Sequence, residues 1–222
     1  MAVITTKASQ DKCEYFAKLW ERVLSTGVNT LLDVGAGENP LMFATHVIDY
    51  MTYNERGPSQ GFAGKKNSFT DKTWNETDFY KMPWNYPDKF FDFVNCTQTL
   101  EDVRDPISMC KEMIRVGKTG FIQCPNIISE LVNNFWHHRW YVRFHDKKLQ
   151  FLHKSHIVTM TEEMKKIIHE IYTNRVQESK ATSLEWIGSF EVEEIYCKTE
   201  KEYLETVNNW INENVVFWRG RK

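Results

Sequence analysis

The chain has 222 residues, of which 41% are hydrophobic, 26% charged and 14% aromatic, and its formal net charge is −2. These values are typical of a globular protein that buries a core, and the near-neutral charge gives no support to nucleic acid as a partner. No signal peptide is visible, and no apolar stretch approaches the roughly 18 residues that a membrane helix needs. We therefore expect a single cytoplasmic domain with no membrane partner, and the sequence leaves its oligomeric state open.

The cysteines favour the same compartment. There are five of them, an odd number, and no two lie at CxxC spacing; they are Cys13, Cys96, Cys110, Cys124 and Cys197. This pattern indicates neither a disulfide framework nor a zinc site.

The N-terminal part of the chain is predicted to contain a helix, a strand and a glycine turn. Residues 10–25 carry apolar side chains at helical spacing. Residues 28–34 form an apolar run that leads into glycines, which is typical of a buried strand followed by a turn. Asn39 and Pro40 predict the start of a helix, as N-cap and first helical residue. Residues 46–50 are expected to form a second strand.

The middle of the chain alternates predicted strands with a predicted helix. Residues 53–73 contain several glycines and indicate a long loop. The expected strands are 74–79, 90–96 and 121–124, and the expected helix is 105–116. Such alternation implies right-handed βαβ units and a mostly parallel sheet.

The last third of the chain is less regular. Residues 127–156 lose periodicity and become rich in Trp, His and basic side chains. After them we predict a helix over 161–172, a strand pair over 184–197 around Gly188, and a final helix over 200–212.

The turn after the first strand separates two kinds of nucleotide-binding protein. A dinucleotide fingerprint requires glycine at the third position of the turn and an acid about 20 residues further on. Here Pro40 stands at that third position, and the next acid at a strand end, Asp49, follows Gly35 by 14 residues. NAD binding, and with it an oxidoreductase, is disfavoured.

Four segments resemble class I S-adenosylmethionine-dependent methyltransferases in the order expected of that family: residues 31–40, Asp49, Asp78-Phe79, and 91–103 followed by 112–125. The resemblance implies a Rossmann-like α/β fold, with a mostly parallel central sheet flanked by helices. It also implies that S-adenosyl-L-methionine is the cofactor. The cofactor-binding residues that it implies are Asp33, Gly35, Ala36, Gly37, Asn39, Asp49, Tyr50, Asp78, Phe79 and Thr97.

The resemblance divides the chain into parts of one methyltransferase domain, residues 1–222. These parts are an N-terminal helix (1–27), a cofactor-binding core (28–125), an acceptor lid inserted after the fifth strand (126–160), and C-terminal helices with the strand pair (161–222). Simpler readings remain open for some residues: Asp33 orders the turn amides, Phe79 is plain core, and Glu101 with Asp102 caps the helix after Pro106.

Five of the seven histidines lie within residues 137–156. A histidine here suits a general base, because its pKa lies near neutrality. We assign catalysis to His137, His138 and Asp102. We assign substrate binding to Arg139, Trp140 and Tyr141, whose aromatic faces and donors suit a saccharide. A metal site is the rival hypothesis for these histidines; we expect no metal, since no HxxxH pair occurs and carboxylates are scarce between 131 and 161. The alternative for each histidine is a solvated packing residue.

These observations predict methyl transfer to a small or saccharide-type acceptor, with O-methylation as the expected reaction. Holding the acceptor and the methyl group in line would supply most of the catalysis. The alternative is a non-catalytic module that binds S-adenosylmethionine and regulates or scaffolds a partner.

Overall fold

A computed structural model describes residues 12–37, 39–55, 68–155, 162, 165–166, 169–170 and 181–219. The strands are β1 (Leu31–Val34), β2 (His46–Asp49), β3 (Trp74–Glu76), β4 (Phe91–Thr97), β5 (Gly117–Pro125), β6 (Trp140–His145), β7 (Lys148–His153), β8 (Ala181–Ile187) and β9 (Glu191–Ile195). The helices are α1 (Lys12–Ser25), α2 (Pro106–Val116), α3 (Ile127–Asn133) and α4 (Glu200–Arg219), and a 3-10 turn covers Asp71–Thr73. The predicted helix over 161–172 lies mostly outside the described residues.

The central sheet has six strands in the order β3-β2-β1-β4-β5-β8. The first five are parallel, and β8 runs antiparallel to β5. This confirms the predicted Rossmann-like class I methyltransferase fold. The strand order reverses between β1 and β4, and ligands of open α/β sheets bind at the carboxyl ends of the strands beside such a reversal.

Helix α2 begins and packs as its sequence predicts. The Asp105 carboxylate accepts a hydrogen bond from the Ser108 N–H at 2.9 Å, and Pro106 occupies the first helical position. Met109 and Met113 are fully buried on the side that faces the sheet. Among the described helices, none is both long enough and apolar enough to cross a membrane.

The helix predicted after Pro40 is absent: residues 39–45 form turns. The Leu41 N–H donates to the Asp33 carboxylate at 2.8 Å, which draws the chain back to the end of β1. The Ala44 N–H closes a turn on the Leu41 carbonyl at 2.9 Å, and β2 begins two residues later. The Asn39-Pro40 pattern was therefore a wrong predictor, because the local contacts with Asp33 leave no length for a helix.

The strand pair predicted around Gly188 is also corrected. Both strands exist, but β8 pairs with β5 whereas β9 pairs in parallel with β7 in another sheet. The Gly188 N–H donates to the Lys118 carbonyl at 2.7 Å, and Gly188 has a φ of +74°. This turn at the end of β8 directs the chain to the second sheet.

The second sheet has the order β6-β7-β9 and comes largely from the segment predicted as an acceptor lid. Trp140, Val142, Leu149 and Phe151 are buried in the same hydrophobic core as the side chains of β4 and β5. Tyr141 packs on the other face, with α3 and α4. These buried side chains of the hairpin are thus part of the core, whereas Asp146, Lys147 and His153 are exposed, as is most of the loop before β6.

Candidate active site at the ends of the central strands

The glycine turn follows β1 and contains two glycines in the left-handed region. Gly35 has a φ of +69° and Gly37 a φ of +55°. A Cβ on Gly35 would lie 2.2 Å from the Thr99 Cγ2 atom, whereas a Cβ on Gly37 would meet nothing within 4 Å. Gly35 is therefore needed for packing against Thr99, and Gly37 leaves open space beside the backbone.

Asp33 is buried at the end of β1 and holds the turn. One carboxylate oxygen accepts the Leu41 N–H at 2.8 Å, and the other accepts the Asn95 side-chain amide at 2.7 Å. Burial raises the pKa of Asp33 to about 6, although these two hydrogen bonds oppose the rise. Ordering the turn, the simpler of the two predicted roles, is thus observed, and Asn95 on β4 is a partner that the sequence did not indicate.

Asp49 ties the end of β2 to the same turn. It is 1% exposed; one carboxylate oxygen accepts the Gly37 N–H at 2.7 Å and the other accepts the Met51 N–H at 2.8 Å. The next residue, Tyr50, is 71% exposed. Asp49, whose early position disfavoured a dinucleotide fingerprint, therefore contacts the glycine turn directly.

The other predicted cofactor residues have mixed surroundings. Asp78 is exposed and accepts the Tyr80 N–H at 3.0 Å, while the neighbouring Thr77 N–H donates to the Asp49 carbonyl at 2.9 Å. Phe79 is buried in the main core, as its simpler reading held. The Thr97 hydroxyl donates to Asn95 at 3.1 Å. At the turn, Ala36 is half-buried and Asn39 is exposed.

Asp102, His137 and His138, the three residues predicted to be catalytic, lie together. We call them the DHH cluster; one nitrogen or oxygen atom from each lies within 4.8 Å of those of the other two. The His138 Nε2 atom is 3.6 Å from the Asp102 Oδ1 atom. The Glu101 carbonyl accepts hydrogen bonds from the N–H groups of Arg139 and Trp140 at 2.6 and 3.2 Å. These bonds connect the loop before β6, which carries both histidines, to the segment after β4.

His138 is positioned by a carboxylate that the sequence did not indicate. Its Nδ1 atom is 2.5 Å from the Oε1 atom of Glu130 on α3, and Lys154 lies 3.1 Å from the other Glu130 oxygen. Burial alone would lower the pKa of His138, but the hydrogen bond to Glu130 and the charge of Asp102 outweigh it, so the pKa is raised. Burial raises the pKa of Asp102.

Glu101 and Asp102 do not cap α2, because Asp105 does. Glu101 is 1% exposed, and within the described ranges its carboxylate oxygens meet no nitrogen or oxygen donor of another residue. Burial raises the pKa of Glu101 to about 8, although the Cys124 thiol is a neighbour that lowers it, so this carboxyl is largely protonated at neutral pH. The charges of Asp102 and His138 act on the pKa of Glu101, so this buried carboxyl lies near the DHH cluster.

The three predicted substrate residues separate from one another. Arg139 is exposed beside the cluster. Trp140 is buried and donates its ring N–H to the Val103 carbonyl at 2.7 Å, and Tyr141 is 1% exposed. Direct contact between Tyr141 and an acceptor is therefore disfavoured, whereas Trp136, which the sequence left unassigned, is 89% exposed next to His137.

The remaining histidines of the 137–156 segment lie away from the DHH cluster. His145 is at the tip of the β6–β7 hairpin near Asp146 and Glu213, and His153 packs its ring edge against Trp140. His156 lies outside the described residues.

Thr99 joins the glycine turn to the DHH cluster. Its side chain touches Gly35 and its hydroxyl donates to the Gly35 carbonyl at 3.2 Å. Its own carbonyl accepts the Asp102 N–H at 3.1 Å. The turn and the cluster therefore lie side by side at the carboxyl ends of β1 and β4, where the strand order reverses.

Comparisons with known proteins identify the family of the chain. Residues 18–150 match the family model described as methionine biosynthesis protein MetW. No curated protein matches the chain. Solved structures with similar folds include a SAM-dependent methyltransferase from Archaeoglobus fulgidus, at 17% identity over 78% of this chain and 92% of that one, with a TM-score of 0.43.

Two further solved structures are similar at the same level. The putative methyltransferase in a complex with the Haloferax volcanii Trm112 methyltransferase activator is 12% identical over 76% of this chain and 88% of that one, with a TM-score of 0.44. The [4+2]-cyclase SpnF is 19% identical over 54% of this chain, with a TM-score of 0.34, and the match spans 48% of the cyclase. Likenesses this distant carry no argument about chemistry, which depends on the site.

Proposed function

The chain belongs to the methionine biosynthesis protein MetW family, and from this premise we propose that it is an S-adenosylmethionine-dependent methyltransferase that methylates a hydroxyl of a small or saccharide-type acceptor. The observation that carries the proposal is the pairing of an open glycine turn with the DHH cluster, side by side at the ends of β1 and β4. The first feature suits a nucleoside cofactor, and the second suits activation of an acceptor.

The turn fits the cofactor in shape and in polarity. The space beside Gly37 would be filled by any side chain, and a backbone without side chains lets a ligand approach closely. Each Asp49 oxygen accepts one backbone N–H, and a carboxylate oxygen can accept a second hydrogen bond. We assign Asp49 to the ribose hydroxyls on this basis.

We assign the other binding roles by position. Asp33, at the end of β1, would pair with the ammonium of the methionine part. Asp78 and Phe79 follow β3 and would lie towards the adenine of the cofactor. Thr97 is the last residue of β4 and would lie near the sulfonium end of the cofactor. Ala36, Asn39 and Tyr50 surround the turn and have exposed or half-exposed side chains. Gly35 contributes through its packing against Thr99.

The DHH cluster supplies the acceptor chemistry. When bound, S-adenosylmethionine supplies a methyl group on a sulfonium, which the acceptor oxygen takes by in-line displacement. A hydroxyl needs a base as the methyl group arrives. The Glu130 contact at Nδ1 fixes the histidine tautomer, which leaves the Nε2 lone pair of His138 to take the hydroxyl proton.

The surface next to the cluster suits a sugar or another polyol. Trp136 presents an exposed aromatic face, and Arg139 presents an exposed set of N–H donors. Sugars combine apolar ring faces with hydroxyl rims, so an aromatic plane beside charged donors complements both. We therefore propose that Trp136 and Arg139 contact the acceptor, with His137 between them.

We expect the protein to bind S-adenosylhomocysteine and to show no binding of NAD. The turn lacks the third glycine of a dinucleotide fingerprint. Asp49, which contacts the turn, is 14 residues after Gly35, whereas the acid of that fingerprint follows about 20 residues on. Titration calorimetry with both ligands on the full chain measures this. Heat from NAD together with none from S-adenosylhomocysteine would contradict the proposal. Tight binding without turnover on any acceptor would favour a regulatory module.

Replacing Asp49 with alanine should weaken S-adenosylhomocysteine binding by about 1.5–3 kcal/mol, or roughly 10- to 150-fold, because hydrogen bonds to a charged group are lost. The measurement is again calorimetry, with thermal unfolding to confirm that the variant is folded. Asp71→Ala, which removes an exposed acid of the 3-10 turn, is the matched control and should bind like the parent. If Asp49→Ala also binds like the parent, the pocket lies elsewhere.

A further inference from the structure

Beyond the proposed methyl transfer, we propose that the DHH cluster is a binding site for a divalent transition-metal ion of the zinc class, with Asp102, His137 and His138 as its protein ligands. Two imidazoles and one carboxylate, with a further position open, are a ligand set that zinc accepts in catalytic sites. The carboxylate comes from the loop after β4 and the histidines from the loop before β6, so the site forms only in the folded chain.

The spacing of the ligand atoms fits such an ion. Zinc holds nitrogen and oxygen ligands at about 2.1 Å, which places two ligands of a tetrahedral site about 3.4 Å apart. The His138 Nε2 and Asp102 Oδ1 atoms are 3.6 Å apart, and a nitrogen of His137 completes the group within 4.8 Å. That separation is wider than the ion needs, so binding would draw the exposed His137 side chain closer to the other two ligands.

The surroundings of His138 are those of a metal ligand. A metal-binding histidine typically gives its other ring nitrogen to a carboxylate, which fixes the ring and raises its basicity. Glu130, itself 1% exposed, occupies that place at 2.5 Å from Nδ1, and Lys154 fixes its second oxygen. The Nε2 atom is thereby turned towards Asp102 rather than towards the core.

Two further facts favour an ion at this place. The Asp102 Oδ1 atom is buried and has no hydrogen-bond partner in the part of the chain that is described, although a buried carboxylate oxygen usually has one. His138 also lies between two carboxylates, since its Nε2 atom is 3.6 Å from Asp102 and its Nδ1 atom is 2.5 Å from Glu130. An ion bound at Nε2 would therefore face the Asp102 carboxylate, whose charge it would offset.

The ion and the general base exclude each other at His138, because both need the same Nε2 lone pair. This consequence rests on the proposed function: the ion-bound protein would be inactive in methyl transfer, and a chelator would restore turnover. The ion site itself does not depend on the proposed function, since its ligands are present without cofactor or acceptor.

The test is a titration of the chelator-treated full chain with Co²⁺, followed by the visible absorption of the bound ion. We expect one equivalent of Co²⁺ to bind and Zn²⁺ to displace it. Glu130→Gln should weaken binding by about 10- to 100-fold, the range for loss of a carboxylate behind a histidine ligand, and Asp102→Asn and His137→Ala should weaken it further. His145→Ala, a histidine at the hairpin tip, is the matched control and should bind like the parent.

Absence of a cobalt spectrum in the parent overturns the site, as does equal weakening in His145→Ala. Asp102→Asn keeps the side-chain size, and His137 is exposed, so circular dichroism should find both variants folded. Zn²⁺ should lower turnover and leave the affinity for S-adenosylhomocysteine unchanged; a rise in turnover with Zn²⁺ overturns the inhibitory role. Failure of the methyltransferase proposal is separate, because it would appear as absent S-adenosylhomocysteine binding with the cobalt titration unaffected.

Discussion

Replacing Gly35 with alanine is expected to lower the free energy of unfolding by about 2–5 kcal/mol. A residue with a side chain costs roughly 1–2 kcal/mol in the left-handed region that Gly35 occupies, and overpacking a core adds roughly 1–3 kcal/mol. The new Cβ would lie 2.2 Å from Cγ2 and 2.8 Å from Cβ of Thr99. Rotation of Thr99 cannot remove the second contact, and its hydroxyl is held by the Gly35 carbonyl.

Urea unfolding of Gly35→Ala and Gly37→Ala, compared with the parent, measures this. Gly37→Ala is the matched control: it has the same sign of φ but open space around the new Cβ, so the loss should be about 1–2 kcal/mol. Equal losses at the two positions would mean that Thr99 does not press on Gly35. Gly37→Val, by contrast, should remain folded and lose S-adenosylhomocysteine affinity, because its side chain would fill the space left for the ligand.

The glycine turn illustrates how far the sequence reaches. A buried strand that ends in Asp33-Val34-Gly35-Ala36-Gly37 is a local pattern, and it predicted a ligand-binding turn at the carboxyl end of that strand. The sequence assigned both glycines the same role. Their difference depends on Thr99, which is 64 residues from Gly35 in the chain, and no local pattern encodes that contact.

The mostly parallel central sheet was predictable for the same reason. Buried strands that alternate with helices are a local signal, and right-handed crossovers then leave few topologies. The helix expected after Pro40 failed because Asp33, seven residues earlier, captures the Leu41 N–H. A propensity at Asn39-Pro40 amounts to about 1 kcal/mol or less, and a buried carboxylate hydrogen bond outweighs it.

The DHH cluster marks the limit of sequence reasoning. The sequence selected its three members separately, two from a histidine-rich segment and one from the end of a strand motif. The expected absence of a metal rested on the carboxylates within residues 131–161 only, and the fold brings Asp102 to the histidines from outside that range. Glu130 was missed because α3 lies in a segment without clear helical periodicity, although its carboxylate is the closest partner of His138.

The second sheet was not predictable from the alternation of strands. In residues 140–145 and 148–153, histidines and basic residues interrupt the apolar side chains. The alternation of polar and apolar residues that is typical of a strand is therefore hard to recognise. The pairing of β7 with β9 joins segments about 40 residues apart, and the hairpin tip at Asp146-Lys147 has two residues with positive φ and no glycine. The segment predicted as a lid thus contains a hairpin with several buried side chains, and we propose that the acceptor contacts lie on the loop that precedes it.

Replacing His137 and His138 together with alanine should lower turnover by roughly 10²–10⁴, the range expected when a general base is lost. His138 is the residue whose Nε2 atom faces Asp102, and removal of both rings prevents His137 from taking over the proton. Affinity for S-adenosylhomocysteine should stay nearly unchanged, because the proposed cofactor contacts, Asp33, Gly37 and Asp49, lie at the strand ends. Turnover on an acceptor found by screening glycans, nucleotide sugars and small phenols measures the first effect, and calorimetry measures the second.

The pH dependence of the residual activity separates the roles of these histidines. Without a protein base, methyl transfer requires the acceptor hydroxyl to ionise by itself, so the double variant should gain turnover as the pH rises, well beyond the pH at which the parent levels off. His145→Ala is the control: it removes a histidine outside the DHH cluster, so its turnover and its pH dependence should match those of the parent. A chelator should not reduce the turnover of the parent, since the base acts without an ion. Unchanged turnover in the double variant would make both histidines packing residues, and loss of S-adenosylhomocysteine affinity would mean that the loop closes on the cofactor instead.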